Sequence, residues 1–181
     1  MAMAISVPLY TVDDLDGFPR DGNRYELLDG VLLVTPAPSM SHQLVASRLQ
    51  LRLSNAVMLP GMANVVGPGA VVLLPKTQLE PDILVFPAGI RASAHWREVH
   101  EHWLAVEILS PSSRVYDREF KRDAYLALGV RQVWLVDLPD RSVEVCRGAG
   151  DSETVRDVVR WRVPGIDTLV SIGLEEIFAG L

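Results

Sequence analysis

Apolar residues recur along this chain in two rhythms. Short runs or alternations predict strands, and four-residue recurrences predict helices. Arg24 to Leu28 and Val31 to Thr35 are apolar-rich runs separated by Asp29-Gly30, the pair a two-residue type I′ turn demands, so they predict a β-hairpin. Ahead of it, Thr11 followed by Asp13 and Asp14 supplies an N-cap and first-turn acids for a short helix stopping near Gly17-Phe18-Pro19. From Ser41 to about Val57, the residues Val45, Leu49, Leu53 and Val57 recur at helical spacing. They predict an amphipathic helix capped by Ser41 and ended by Pro60-Gly61.

Val65-Val66, Ala70 to Leu74 and Asp82 to Phe86 read as strands, punctuated by Gly67-Pro68-Gly69, Pro75 and Pro81. The polar stretch His95 to His102 has no clear period, and Trp96 within it suits a loop. Trp103 to Leu109 is another strand, ending in the turn Ser110-Pro111-Ser112-Ser113. A helix from about Arg114 to Leu128 follows, with Gly129 as its C′ residue. Gln132 to Val136 and Ser142 to Cys146 are strands around Pro139-Asp140, Thr154 to Val163 reads as a last strand, and Leu174 to Phe178 as a short terminal helix. With 181 residues and no repeat, low-complexity tract or linker, the pattern predicts one α/β domain, 1–181, with its core at about 11–178.

Composition narrows the function classes. Hydrophobic residues at 49% and charged residues at 22% describe a packed chain, not a disordered one. A net charge of -6 excludes coating nucleic acid by bulk positive charge, so such a substrate needs a local basic patch or a bound cation. The single Cys146 rules out an intramolecular disulfide and a cysteine-rich metal site, which fits a reducing cytoplasm. No apolar run approaches the roughly 18 residues of a membrane helix, and the first residues do not read as a signal peptide. A cytoplasmic protein with no membrane partner is expected.

Two acids stand where an apolar strand makes them costly to bury. Asp82 precedes Ile83-Leu84-Val85-Phe86, and Glu107 interrupts Leu104-Ala105-Val106-Glu107-Ile108-Leu109. Converging carboxylates without soft ligands suit Mg²⁺ or Mn²⁺, which keep several waters and accept phosphate oxygens. Lys121, on the helix after the Glu107 strand, is the candidate compact positive charge for an attacking water or for charge developing on phosphorus. The bland readings are strand-end acids held by backbone N–H groups or arginines, and a solvated Lys121 paired with Asp117 one turn earlier. Arg114, Arg118 and Arg122 recur every four residues, either as phosphate contacts or as a solvated face shared with Glu119 and Asp123. Tyr125, one turn beyond Lys121, either orients the lysine or covers the core.

The run Tyr25-Glu26-Leu27-Leu28-Asp29-Gly30, the pair Pro81-Asp82, and Val106 through Ser113 resemble the Uma-type family of restriction endonucleases, within the PD-(D/E)xK nuclease superfamily. Asp117, Lys121, Tyr125, Gly129-Val130 and Trp134-Leu135-Val136-Asp137 extend the resemblance, which runs from about Thr11 to Phe178. It implies a restriction-endonuclease-like fold, a central mixed sheet flanked by helices, with a divalent-metal site that cuts phosphodiester bonds, DNA being the expected substrate. Asp82 matches the motif aspartate and Glu107 the second acid, both metal ligands, with Lys121 as the third catalytic residue. Glu26 resembles an accessory acid, and His42 falls where the family often has a histidine at the start of the long helix; on its own residues, Glu26 suits an exposed hairpin face equally well, and His42 a cap or a packed histidine. The superfamily's lysine two positions after the second acid is absent, since Leu109 stands there. That departure, with the negative net charge, supports a second reading as an inactive nuclease-like binding or assembly module; a hydrolase of another phosphate ester is a third. Cutting both strands of a duplex suits a two-fold pair of sites, so a homodimer is expected.

Overall fold

Asp29 and Gly30 both adopt positive φ, 50° and 84°, as a type I′ turn requires, and close the hairpin of β1 (Arg24–Leu28) and β2 (Val31–Thr35). The computed structural model describes residues 8–110, 116–148 and 150–181. The hairpin joins β4 (Val71–Leu73) and β5 (Thr77–Leu79) in an antiparallel sheet ordered β2-β1-β5-β4. A larger mixed sheet holds β3 (Ala63–Val66), β6 (Ile83–Pro87), β7 (Leu104–Leu109), β8 (Val133–Asp137), β9 (Ser142–Gly148) and β10 (Asp151–Val155) in the order β10-β9-β8-β7-β6-β3. β7 and β8 are its parallel pair; the other pairs run antiparallel. A two-stranded unit, β11 (Val158–Arg162) with β12 (Leu169–Gly173), completes the strands.

The pleat assigns each face of the larger sheet. Ile83, Val85, Val106, Ile108, Trp134 and Val136 point to a core shared with α1 (Met40–Leu53) and with β11 and β12. Leu84, Phe86, Ala105, Leu109, Val133 and Leu135 point to a second core that includes Tyr125, on α2 (Arg122–Ala127). A parallel strand pair needs a crossover connection, and α2, preceded by a π-helical turn over Asp117–Lys121, lies in the β7-to-β8 crossover. Gly129, at φ 87°, ends this helix as expected.

Several expectations need correcting. Ser39, not Ser41, caps α1: its side chain accepts from the His42 backbone N–H at 3.3 Å. Thr154 to Val163 is not one strand; the chain turns at Arg156-Asp157, so β10 and β11 belong to different sheets. β5 is too short, and β12 too interrupted by polar residues, to stand out as apolar runs. Trp96 lies in a short 3₁₀ turn, Trp96–Glu98, edge-on to Phe86. Arg114 and the Pro111-Ser112-Ser113 turn lie outside the described residues.

Candidate functional site

Asp82 and Glu107 meet because of the β6/β7 register. Ile83 pairs with Val106 and Leu84 with Ala105, so one step further Asp82 comes opposite Glu107, on the face turned toward α2. Both line a cavity of about 440 Å³, together with Glu80, Ile108, Asp117 and Lys121. Asp82 is held at three points: Arg24 donates to Oδ1 at 3.0 Å, the Ile108 N–H donates to Oδ2 at 2.8 Å, and His42 Nε2 lies 3.0 Å from Oδ2. Burial works to raise the Asp82 pKa, but the His42 contact, the Arg24 charge and the Ile108 N–H outweigh it and hold the carboxyl below its usual range.

Glu107 is 3% exposed and lies in a different electrostatic setting. Tyr125 donates its hydroxyl proton to Oε1 at 2.7 Å, and Lys121 Nζ stands 3.3 Å from the same oxygen. Burial raises the Glu107 pKa well above normal, opposed by Lys121 and reinforced by Asp117, Asp82 and Glu26. Lys121, itself 3% exposed, pairs with Glu26 at 2.7 Å and Asp117 at 3.8 Å besides Glu107. Burial works to neutralise it, but these three carboxylates keep it charged and raise its pKa above that of a free lysine.

The structure therefore gathers Asp82, Glu107, Lys121, Glu26, His42, Asp117 and Tyr125 into one neighbourhood. Glu26 does not decorate an exposed face; it is fully buried, holding Lys121 with one oxygen and accepting the Glu80 N–H at 2.7 Å with the other. Tyr125 holds Glu107 directly and not the lysine. Arg118 and Arg122 turn to the strands: Arg118 reaches Asp137 at 3.2 Å and Glu144 at 3.7 Å, and Arg122 reaches Asp123 at 2.8 Å and Glu144 at 3.9 Å. Sequence reasoning missed Arg24 and Glu80. The signal for Arg24 was its place two residues before Glu26, hence on the same face of β1.

The cavity is lined by the carboxylates of Glu80, Asp82, Glu107 and Asp117 and by no thiolate, the donor type that a hard divalent cation takes. Among the described residues no three His, Cys, Asp or Glu side chains gather into a metal cage. The protein would supply Asp82 and Glu107, leaving the remaining positions to water and substrate oxygens, which is the habit of Mg²⁺.

The mixed sheet with its β7-to-β8 crossover and flanking helices defines a restriction-endonuclease-like fold. A crystal structure from Anabaena variabilis described as a "putative nuclease" shares that fold, with a TM-score of 0.77 and 20% sequence identity over 94% of this chain and 98% of that one. The sequence model of the Uma2 family, described as "Putative restriction endonuclease", matches residues 12–174, and the chain belongs to this family. No curated protein matches it. Among the described residues no helix is long and apolar enough to cross a membrane.

Proposed function

We propose that this chain is an endonuclease that hydrolyses phosphodiester bonds in DNA with Mg²⁺ or Mn²⁺ as cofactor. The observation that carries this reading is the return of Lys121 to Glu107, at 3.3 Å, beside a cavity that Asp82 and Glu107 both line. The superfamily's lysine two positions after the second acid would stand at Leu109; the crossover segment delivers an equivalent charge from Lys121, fourteen residues after Glu107. Asp82 and Glu107 would hold the cation, which when bound polarises a phosphoryl oxygen and lowers the pKa of a water.

The protein's own groups divide the remaining work. Arg24 and His42 fix the Asp82 carboxylate, Tyr125 fixes Glu107, and Glu26 holds Lys121 so that its ammonium faces the acids. Lys121 then orients the attacking water and offsets charge that develops on the phosphoryl oxygens. Two such chains working as a homodimer would present one site to each strand of a duplex. Light scattering checks that point, and a particle of one chain only would remove it.

The test is cleavage of supercoiled plasmid and labelled single-stranded DNA with Mg²⁺, Mn²⁺ or EDTA, alongside Asp82→Asn and Lys121→Ala checked for folding by thermal melting. Metal-dependent cutting is expected, reduced about 100-fold or more in each folded variant. No cutting under any condition, with no change of melting temperature on adding Mn²⁺, would replace the enzyme by a binding module.

A further inference from the structure

A second cleft, of about 310 Å³, opens beside the first and shares Thr35, Pro36, Asp117 and Lys121 with it. Its other walls are of a different character: Leu32, Leu33 and Val34 from β2, and Tyr116. Phe120 stacks on Tyr116 with ring centroids 5.0 Å apart and planes 24° apart, and is itself 51% exposed. The pair presents a partly exposed aromatic surface beside the buried charges, on which a further flat group can stack.

We propose that an unpaired nucleobase next to the scissile phosphate stacks on Tyr116 in this cleft, so that the site takes DNA whose bases are unpaired at the cut, in a single strand or in the opened stretches of a supercoiled plasmid. This rests on the nuclease reading above. Two further observations support a base as the occupant. First, β2 is the edge strand of its sheet, and in a two-residue hairpin the Leu32 and Val34 backbone groups face away from β1, where they can meet the polar edge of a base. Second, among the described residues the cations nearest the site have carboxylate partners: Arg24 with Asp82, Lys121 with Glu26 and Glu107, Arg118 and Arg122 with Asp137 and Glu144. A duplex held by phosphate contacts asks for several basic side chains turned to the cleft, whereas stacking asks for an aromatic face. The cleft volume is at the lower end of sites that hold small ligands, enough for one base.

The experiment measures binding with Ca²⁺ in place of Mg²⁺, using a fluorescent single strand that carries 2-aminopurine and a duplex of the same length. Wild-type protein is expected to bind the single strand at least tenfold more tightly than the duplex and to quench the 2-aminopurine. Tyr116→Ala should weaken single-strand binding about tenfold and abolish the quench, while Tyr116→Phe keeps both. Equal affinity for the two DNAs with no effect of Tyr116→Ala overturns the stacking site, and plasmid cutting as tested above then leaves the nuclease standing. A quench that persists in Tyr116→Ala, together with a dimer dissociated by Phe120→Ala, would assign the aromatic pair to a second copy of the chain and equally overturn the proposal. Absence of DNA binding together with absence of cutting removes both readings.

Discussion

Lys121 shows how a single residue can be both a structural and a chemical commitment. Its ammonium is buried among Glu107, Glu26 and Asp117, and removing it leaves uncompensated carboxylates in the interior. Lys121→Met should therefore cost about 3–5 kcal/mol in denaturant unfolding, and adding Glu26→Gln should recover part of the loss, because the second change removes one stranded charge. If Lys121→Met unfolds like wild type, the pairing contributes nothing. Tyr125→Phe is the milder change at the same oxygen. It keeps the packing but removes the 2.7 Å hydrogen bond to Glu107, for an expected cost of about 1–2 kcal/mol and a fall in cleavage rate larger than any change in KM. A KM change alone would place Tyr125 in substrate binding.

At the scale of elements, the site depends on how closely backbones approach. Gly67, after β3, lies against the start of β6: a Cβ there would come 2.6 Å from the Asp82 carbonyl oxygen and 2.8 Å from Gln50 Oε1. The side-chain atom can move, but the carbonyl cannot without shifting Asp82. Gly67→Ala is expected to lose about 1–3 kcal/mol and to depress cleavage beyond what its stability explains. Gly17→Ala, where a Cβ would meet nothing within 4 Å, should leave both unchanged. Elements with strong local chemistry were legible in the sequence, as the Asp29-Gly30 turn and the Gly129 helix stop illustrate. β5 and β12 were not, because a three-residue strand and a partly polar strand owe their pairing to neighbours.

For the molecule as a whole, stability should depend on pH through a group other than Asp82 and Glu107. His102, just before β7, is 3% exposed, and among the described residues neither ring nitrogen has a hydrogen-bond partner. Burial, aided by the charge of His100, pushes its pKa down to about 4. The unfolded chain, with a normal histidine near pH 6.5, then binds the extra proton first. Stability is full above about pH 6.5 and falls by up to about 3 kcal/mol as the pH drops through 4. Melting curves across this range should show the fall, and His102→Leu should flatten it; an unchanged slope in the variant would assign the acid sensitivity to other groups.

Sequence alone marked Asp82, Glu107 and Lys121 as candidates, because a carboxylate that opens or interrupts an apolar strand is conspicuous whatever surrounds it and the family resemblance points to the lysine. It also determined the hairpin and the crossover helix, which are written in turn residues and in periodicity over neighbouring positions. Only the tertiary structure decided which partners those groups have. Glu26 became buried through the position of β1 in its sheet, His42 reached Asp82 across helix and strand, and Arg118 and Arg122 turned from the cleft to Glu144. Each of these depends on contacts between residues distant along the chain, and local pattern carries no record of which distant surface a side chain will face.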